Sequence, residues 1–572
     1  MEKYWKIREK APLAEIERLA SELNINHVLA NLLIQRDVTT FDEAKAFFRP
    51  SLDNLHDPFL MKDMDKAVDR LKLAVQKNEN ILVYGDYDVD GTTSVALVYS
   101  FLRKIYSKVD YYIPDRYGEG YGVSYNGIDH AAATRASLVI ALDCGIKAID
   151  KISYASEKSI DFIICDHHTP GDKLPEAIAV LDPKRADCLY PFKELSGCGV
   201  GFKFMHAYSL RNNIPFTELL DYIDLVAVSI ASDIVPIIGE NRILTHYGLK
   251  KLEENPGIGL KTIKEKSGVE EGKPIAVEDV VFKIGPRINA AGRMDSGKQA
   301  VDLLISASDK EARLLCDRLN AHNQTRRNID KNITEEAISD IRQQSNKYKY
   351  STVLYNPGWH KGVVGIVASR LIESFYRPTV ILTESNGFAT GSARSVNGFD
   401  LYEAINGCAD LLESFGGHMY AAGLTLKPEN VQKFKDRFEQ VVSERITTEQ
   451  LTPQVEIDAE LNFIDINEKF YRVLKQFAPF GPGNMNPVFF AENVTDNGTG
   501  RPVGSDGEHL RLTLIQESDP FRNLNAIAFG QGRKYDKISK GKAFDIAYTL
   551  AENSFRGQTS LQLNVKDIKI DH

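Results

Sequence analysis

The strongest chemical signal in the sequence is a loop in which three aspartates stand at alternate positions. Asp86, Asp88 and Asp90 lie within GDYDVDG, directly after the apolar run ILVY. Carboxylates packed this closely repel one another, and burial adds the cost of removing their charges from water. A bound divalent cation offsets both effects. The spacing therefore predicts a metal site at the end of a buried strand.

A calcium-binding EF-hand loop is the main alternative for this segment, because it also begins with aspartates at alternate positions. That loop requires a bidentate glutamate at its twelfth position, and a helix precedes it. Counted from Asp86, the twelfth position is Leu97, which lies in an apolar segment with helical spacing. We therefore favour a catalytic cation over a structural calcium ion.

More acidic and imidazole groups follow later apolar runs. They are Asp143 after LVIAL, the triplet Asp166, His167 and His168 after DFIIC, and Asp233 in SIASDIVP. Alone, each has an ordinary explanation as a helix cap, a turn or solvated histidines. Together with the first loop they form a set of aspartates and imidazoles that suits Mn²⁺ or Mg²⁺. A site with this many carboxylates can hold two ions, the usual arrangement for attack of water on a phosphate.

The elements that must position these groups alternate between strands and helices. The runs ILVY, YYIP, LVIAL, DFIIC and AIAVL predict strands, and TTSVALVYSFLRKIY and IKAIDKISYASEK predict helices. Such alternation is typical of a parallel, doubly wound sheet. Ligands of these sheets bind at the carboxyl ends of the strands, where Asp86, Asp143 and Asp166 stand.

The rest of the sequence predicts further domains. The segment 307–345 contains no Pro or Gly, so it predicts one helix of about 58 Å, at ~1.5 Å per residue, that separates two domains. A second α/β unit begins near 351 and includes a glycine-rich turn at GGHMYAAG, and short alternating strands after about 450 predict an OB-like barrel. The predicted fold class is α/β: a doubly wound parallel-sheet domain, a long connecting helix, a second α/β domain and a C-terminal OB-like β-barrel. The predicted divisions are a helical cap (1–75), the first α/β domain (76–305), the connecting helix (306–345), the second α/β domain (346–448) and the barrel (449–572).

Composition and charge limit the functional classes. With 70 Lys and Arg against 79 Asp and Glu, the formal net charge is −9, so phosphate binding must come from local grooves or metal ions rather than a bulk positive field. A hydrophobic content of 43% is ordinary for globular proteins and excludes collagen, coiled coils and wholesale disorder. We find no apolar run near the roughly 18 residues of a membrane helix and no signal-peptide core, and we expect no membrane contact. The 6 cysteines include no CxxC pair, so we interpret them as reduced thiols of a cytoplasmic protein.

Taken in order, these motifs resemble those of the DHH phosphoesterase superfamily. That resemblance rests on GDYDVDG, the isolated Asp143, DHH at 166–168 and ASDIVP at 231–236. Further motifs resemble the RecJ-type exonucleases and their second domain, called DHHA1: RINAAGRM (287–294), GSARS (391–395) and GGHMYAAG (416–423). The resemblance covers about residues 80–572. It implies that the first α/β domain is a DHH catalytic domain, the second a DHHA1 domain and the barrel an OB domain.

The resemblance also implies a role for each site residue. Asp88, Asp90 and His167 would bind metal, Asp143 would bridge two ions and Asp233 would complete the site. Asp86, Asp166 and His168 would bind an ion directly or hold a ligand in place. Some superfamily members have a histidine four residues before the second aspartate of the first motif. Tyr84 stands there in this sequence, which leaves one ion partly to water or to Asp86.

Basic and glycine-rich segments are expected to bind the substrate. Arginines suit bidentate phosphate binding, and glycines let backbone amides approach an anion. A salt bridge, a solvated loop or a tight turn is the alternative in each case. The candidate substrate-binding residues are Arg116, Arg287, Asn289, Arg293, Ser392, Arg394, Gly416, Gly417 and His418.

A single-strand-specific 5′→3′ DNA exonuclease of repair and recombination, dependent on Mn²⁺ or Mg²⁺, is the function that the resemblance implies. The expected partners are a single strand with a 5′ end, a single-strand-binding protein and a helicase, and we expect a monomer. Barrel aromatics could stack on bases; the candidates are Phe489, Phe490, Phe529 and Phe555. Two alternatives remain open: a phosphatase of small substrates with the same catalytic half, and a catalytically silent scaffold.

Overall fold

The N-terminal region is mainly helical. The computed structural model describes residues 2–343, 347–539, 541–555 and 558–570. The first elements are β1 (Tyr4–Ile7), α1 (Leu13–Leu23), α2 (His27–Ile34), α3 (Phe41–Phe48) and α4 (Met64–Gln76). Thr40 and Glu43 form a capping box at the start of α3, so the backbone amides there are satisfied locally.

The predicted doubly wound sheet is present, and its five strands are all parallel in the order β3-β2-β4-β5-β6. Its elements are β2 (Asn80–Gly85), α5 (Val89–Ile105), β3 (Val109–Tyr112), α6 (Tyr125–Ala133), β4 (Ala136–Leu142), α7 (Ile149–Glu157), β5 (Asp161–Cys165) and β6 (Ala179–Leu181). The central strands are nearly continuous runs of Val, Ile and Leu, because helices cover both faces of the sheet.

A helical region follows the sheet and leads into the connecting helix. Its elements are α8 (Gly197–Arg211), α9 (Phe216–Leu220), α10 (Ile223–Ser232), α11 (Gly239–Glu254), α12 (Ile258–Lys266), α13 (Val277–Asp279), α14 (Gly285–Met294), α15 (Lys298–Leu304) and α16 (Asp309–Gln343). The connecting helix α16 has 35 residues, or about 52 Å at ~1.5 Å per residue. It matches the predicted helix up to its last residues, since 344 and 345 lie outside the described residues.

The second α/β domain is a five-stranded mixed sheet in the order β10-β11-β9-β8-β7. Its elements are β7 (Thr352–Tyr355), α17 (Val364–Phe375), β8 (Thr379–Ser385), β9 (Phe388–Arg394), α18 (Leu401–Asn406), β10 (Ser414–His418), β11 (Ala421–Leu426) and α19 (Val431–Arg445). The glycine-rich turn predicted at 416–423 is shorter than expected: only Met419 and Tyr420 turn, and the rest of the segment belongs to the β10–β11 hairpin with Gly416 opposite Gly423. Its glycines allow close pairing: a Cβ at Gly417 would lie 2.3 Å from the Ala421 oxygen.

The C-terminal region forms the predicted barrel. Its elements are β12 (Gln454–Ile457), β13 (Ala459–Glu460), α20 (Glu468–Lys475), β14 (Phe489–Asp496), β15 (Arg501–Val503), β16 (His509–Gln516), β17 (Asp519–Ala528), α21 (Tyr535–Ile538), β18 (Phe544–Phe555) and β19 (Gln558–Lys569). Pairing between β14 and β16 closes the ring β14-β18-β19-β17-β16. Closure leaves no free edge in this ring, which gives an OB-like architecture.

The N-terminal helices pack on the barrel. Ile16 of α1 and Leu29 of α2 share a hydrophobic core with Leu461 and Phe470, and β1 pairs in parallel with β12. The helix α4 instead packs with the first sheet. We therefore propose that the cap comprises 1–48 and that α4 belongs to the first α/β domain, which differs from the predicted boundary at 75.

A buried arginine of α11 joins three regions of the chain. The Arg242 guanidinium lies 3.9 Å from the centre of the Phe47 ring at the end of α3. It donates hydrogen bonds to the backbone carbonyls of Phe47, Gln476, Phe477, Ala478 and Pro479. Burial lowers the pKa of Arg242 to about 9. This contact connects the first α/β domain to both the cap and the barrel.

The barrel aromatics differ from the prediction. Phe489 is 0% exposed in the barrel core, so its proposed stacking role is wrong, and Phe490 packs in the small cluster around Trp5. Phe529 is 57% exposed and contacts the ring of His509. The side chain of Phe555 lies outside the described residues. Phe521, which the pattern did not single out, is 93% exposed.

Candidate metal centre and adjoining cleft

The carboxyl edge of the first sheet places several aspartates in a row. Gly85 lies opposite Leu142 and Leu142 opposite Cys165, so the residues that follow them are aligned across three neighbouring strands. These following residues are Asp86, Asp143 and Asp166. A fourth buried aspartate, Asp182, follows Leu181, which lies opposite Cys165. The parallel register alone therefore brings separated carboxylates to one edge.

The loop after β2 turns sharply into α5. The Asp88 side chain accepts a hydrogen bond from the Gly91 amide at 3.0 Å and thereby caps α5. Asp86 accepts from the amides of Tyr87 and Gly122 at 2.6 and 3.1 Å. A Cβ at Gly91 would lie 2.5 Å from the backbone carbonyl oxygen of Asp86, so this turn requires glycine there. Burial, followed by repulsion from Asp88, raises the pKa of Asp86.

Asp90 is held by the helical region rather than by its own loop. Its two oxygens accept from the amides of Gly197 and Cys198 at the start of α8, at 2.7 and 2.8 Å. The Ser229 hydroxyl of α10 donates to Asp90 Oδ1 at 2.6 Å. Two helices thus fix this carboxylate, and a helix N-terminus stabilises its charge.

Asp143 presents a carboxylate oxygen that has no hydrogen-bond donor in the described part of the chain. Its backbone φ is +59°, a left-handed conformation that places the side chain beside α8. A Cβ at Gly197 would lie 2.6 Å from the Asp143 Cβ. Burial, then repulsion from Asp90 and Asp88, raises the pKa of Asp143 well above its usual range.

His167 lies at the centre of the group. Its Nε2 atom is 3.2 Å from Asp143 Oδ1, 3.5 Å from Asp233 Oδ2 and 3.6 Å from Asp90 Oδ2. Burial lowers the pKa of His167, so the imidazole is neutral near neutral pH and offers a lone pair. Both ring nitrogens are buried without a hydrogen-bond partner among the described residues.

Asp166 and His168 form a bonded pair beside His167. Asp166 accepts from the Ile146 amide at 2.9 Å and from His168 Nδ1 at 2.7 Å. Despite burial, these bonds lower the pKa of Asp166 to about 2. Burial alone would lower the pKa of His168, but Asp166 outweighs it and raises that pKa to about 9. His168 Nε2 lies 3.3 Å from the Tyr121 hydroxyl.

The chemistry of these groups fits divalent cations. Two groups of residues could each hold an ion, because the ligand atoms within each group lie within 4.8 Å of one another. One group is Asp90, His167 and Asp233, and the other is Asp143, His167 and His168. Burial, then repulsion from Asp90 and Asp88, raises the pKa of Asp233 to about 8. Cations would relieve this repulsion and satisfy the unpartnered oxygen of Asp143.

A group of arginines lies across from the aspartates. The guanidinium of Arg116 lies 4.8 Å from the centre of the Tyr87 ring. Burial, then repulsion from Arg116, Arg326 and Arg394, lowers the pKa of Arg293 to about 10. Arg394 of β9 donates to the Ser392 hydroxyl at 2.7 Å, and burial lowers its pKa. Clustered arginines that repel one another form a favourable place for an anion.

The β10–β11 hairpin approaches the metal centre from the second α/β domain. Gly416, Gly417 and His418 are exposed on this hairpin. A cavity of about 300 Å³ separates it from the first sheet. The cavity is lined by residues of both domains, including Tyr121, Lys147, Lys151, Asp166, His168 and His418.

The three domains and the aspartate-rich motifs match known protein families. Family models match the DHH family N-terminal domain at 80–230, the DHHA1 domain at 345–444 and the RecJ OB domain at 457–567. The single-stranded-DNA-specific exonuclease RecJ of Bacillus subtilis is 36% identical over 568 residues, which cover 99% of this chain and 71% of that protein. The chain belongs to the RecJ exonuclease family.

Solved RecJ structures share the fold of this chain over most of their length. The crystal structure of RecJ from Thermus thermophilus in complex with Mn²⁺ matches with a TM-score of 0.85 at 26% identity, covering 100% of this chain and 80% of that one. The corresponding Mg²⁺ complex matches with a TM-score of 0.80 at 25% identity, covering 100% and 79%. These matches confirm the predicted fold class, and the ions in those crystals are the two expected for this chain from its sequence. Among the described residues, no helix is long and apolar enough to cross a membrane.

Of two residues predicted to bind substrate, Asn289 and Arg287, only the first lies in the cleft between the domains. Asn289 lies in the cleft beside Arg293. Arg287 is not brought to the arginine group: its Nε donates to Asn320 Oδ1 of α16 at 2.8 Å, and its NH1 donates to the Lys283 carbonyl. Its contacts join α14 to the connecting helix.

Other polar residues adjoin the candidate site and were not predicted from the sequence. Asp182 follows a predicted strand, and burial raises its pKa to about 7, so its position at a strand end was a usable signal. Tyr121 donates to the Asp143 carbonyl at 3.2 Å, and Lys361 lies near Arg116, with a pKa lowered by burial and that charge. Arg326 belongs to the connecting helix, where the pattern indicated a spacer.

Proposed function

We propose that this chain is a metal-dependent exonuclease that removes nucleotides from the 5′ end of single-stranded DNA in repair and recombination. The observation that carries the proposal is the convergence of Asp90, Asp143 and Asp233 on the Nε2 atom of His167. The curated relatives that match most of the chain are named single-stranded-DNA-specific exonucleases. Their activity agrees with a site built for phosphate chemistry beside an arginine group.

The proposed metal ligands are those predicted from the motifs. Asp88, Asp90, Asp143, His167 and Asp233 would hold two ions, with Asp86 beside them. The ions, when bound, supply Lewis acidity and make a water more acidic near neutral pH. Asp166 orients the DHH segment, because it accepts from the amides of both histidines.

The arginine group and the second domain are proposed to bind the strand. Arg116, Ser392 and Arg394 would take the terminal 5′ phosphate, since guanidinium and hydroxyl donors match phosphate oxygens. The hairpin with Gly416, Gly417 and His418 would contact the first nucleotide. Placing the terminal phosphate at a fixed distance from the ions makes cleavage start at an end. Asn289 and Arg293 would contact the strand beside the ions.

Partners and location follow from this activity. Single-stranded DNA with a 5′ end is the proposed substrate, and a single-strand-binding protein and a helicase that supplies single strands are proposed partners. We propose a cytoplasmic monomer. Four barrel aromatics were candidates for base stacking. Among those whose side chains the structure describes, the exposed Phe529, beside His509, remains the proposed one.

The experiment that tests the proposal compares end labels. A single strand labelled at its 5′ end should release the label as a small product at once in Mn²⁺, whereas a 3′-labelled strand should shorten progressively. A blunt duplex of the same sequence is the control and should remain intact. Immediate release of the 3′ label would reverse the proposed polarity, and equal cutting of the duplex would contradict single-strand specificity.

A further inference from the structure

A second basic pocket lies where the first α/β domain, the connecting helix and the second α/β domain meet. We call it the interdomain pocket; its volume is about 200 Å³. It is lined by residues from all three regions: Ser232, Val281, Gly285, Pro286, Asn289, Arg293, Arg326 and Ile366. Ser232 directly precedes Asp233 of the metal centre, so the pocket adjoins that centre. No acidic residue is among these lining residues.

Arg326 brings a positive charge to this pocket from the connecting helix. Its Nε and NH2 atoms both lie near Asn323 Oδ1, at 3.2 and 3.0 Å, which fixes the side chain. Burial lowers the pKa of Arg326. The negative charge of Asp330 raises this pKa, and repulsion from Arg370 lowers it further. Asp330 itself bonds Arg370 of α17 at 2.7 Å. The charge of Arg326 is therefore oriented and only partly neutralised.

The other polar groups of the pocket have unused hydrogen-bonding capacity. Arg293 donates through NH1 to the Gly362 carbonyl at 2.9 Å. The hydroxyl of Ser232 is buried and has no hydrogen-bond partner among the described residues. Gly285 leaves it room, because a Cβ there would lie 2.8 Å from Ser232 Oγ. Two guanidinium groups, an amide and a free hydroxyl match an anion with several acceptor oxygens.

We infer that the interdomain pocket binds a backbone phosphate on the 3′ side of the bond that is cut, and that Arg326 is a substrate-binding residue there. The inference rests on the proposed function. An enzyme that removes one nucleotide at a time has a single phosphate on the 5′ side of the cleaved bond, and the group around Arg394 is proposed to take it. The ions take the phosphate that is cut. A further anion site beside them therefore receives the strand that remains.

The test removes the charge of Arg326 and, separately, the charge of single phosphates. Arg326→Gln keeps a polar side chain, Arg326→Lys keeps the charge without the planar fork, and Arg327→Gln is the matched control. Arg327 is the next residue of α16 and is exposed. The substrates are 5′-phosphorylated single strands that carry one uncharged methylphosphonate at successive positions beyond the first cleavable bond. The rate of removal of the first nucleotide is measured under single-turnover conditions in Mn²⁺.

One phosphate position should depend on Arg326. On the unmodified strand, Arg326→Gln should slow the first cleavage about 10- to 100-fold, the effect expected for loss of a charge-assisted hydrogen bond. For the wild type, one methylphosphonate position should cause a loss of similar size. With the methylphosphonate at that position, the first-cleavage rate of Arg326→Gln should fall little below its rate on the unmodified strand. A methylphosphonate at any other position should slow the variant and the wild type by the same factor. Arg327→Gln should follow the wild type throughout, and Arg326→Lys should be intermediate.

Two results would overturn the inference. The first is an Arg326→Gln variant that follows the wild type at every position. The second is an Arg326→Gln variant whose cleavage rate is lower than that of the wild type by the same factor at every methylphosphonate position. Such a uniform loss would indicate a structural role for Arg326. Failure of the proposed function would look different, because the wild type would then not release the 5′ nucleotide from the unmodified strand.

Discussion

Ser229 gives a sharp test of how the metal centre is assembled. Its hydroxyl donates to Asp90 Oδ1 at 2.6 Å and lies 2.6 Å from the Ser196 hydroxyl. It lies behind the carboxylate and is fully buried. Ser229→Ala removes this donor while leaving the amides of Gly197 and Cys198 in place. We expect the fold to persist and the position of the Asp90 carboxylate to loosen.

The magnitude follows from the contact that is lost. A hydrogen bond to a charged group contributes about 1.5–3 kcal/mol, and loss of a partner behind a metal ligand typically weakens metal binding about 10- to 100-fold. The Mn²⁺ concentration that gives half-maximal nuclease rate should therefore rise about 10- to 100-fold in Ser229→Ala. Because no proposed ligand is removed, the rate at saturating Mn²⁺ should approach that of the wild type.

The assay is a Mn²⁺ titration of nuclease activity, with calorimetric titration of Mn²⁺ as an independent measurement. Ser209→Ala is the matched control: Ser209 is also a buried helical serine, and its hydroxyl donates to the Met205 carbonyl at 2.8 Å. Its Mn²⁺ dependence should remain that of the wild type. An unchanged midpoint in Ser229→Ala, or an equal shift in Ser209→Ala, would refute the reasoning.

Three further predictions concern other parts of the site and the fold. Asp143→Asn should abolish nuclease activity while the circular dichroism spectrum is retained; turnover in Mn²⁺ would remove Asp143 from the mechanism. Arg394→Ala should weaken binding of a 5′-phosphorylated strand about 10- to 100-fold and leave binding of a 5′-hydroxyl strand nearly unchanged, with Mn²⁺ binding as the control; equal losses on both strands would contradict contact with the terminal phosphate. His206, whose pKa is lowered to about 4 by burial and Lys203, is neutral in the folded state and takes up a proton on unfolding below its usual pKa near 6.5. The stability it contributes above pH ~6.5 is lost as pH falls towards 4, by on the order of 3 kcal/mol; His206→Leu should reduce the loss of thermal stability between pH 7 and 5, and an identical pH profile would contradict the assignment.

The clustering of several candidate metal ligands was predictable, because parallel strands place the residues that follow them at one edge. Asp86, Asp143 and Asp166 each follow an apolar run, and a parallel sheet aligns such positions at one edge. The same rule would have found Asp182. The partners of Asp90 were not predictable, because Gly197 and Ser229 reach it only through the packing of α8 and α10 against α5.

Other parts of the fold depended on tertiary contacts that local patterns do not carry. Phe489 and Phe490 are adjacent in β14, so one must face the barrel core, and the sequence did not indicate which. The strand β1 has four residues with a single buried side chain, Trp5, and exists because β12 pairs with it. The glycines around Gly416 favour a turn on local grounds, but here they also permit close pairing of two strands.

The shared core of the cap and the barrel has a consequence for synthesis of the chain. Ile16 and Leu29 leave the ribosome roughly 430 to 445 residues before Leu461, which contacts the same core. At about 5–20 residues per second, the apolar faces of α1 and α2 wait some 20–90 s for the strands that cover them. During that interval they are natural targets for chaperones, and release of the finished barrel ends their exposure. Nascent chains truncated before β14 should therefore retain bound chaperone.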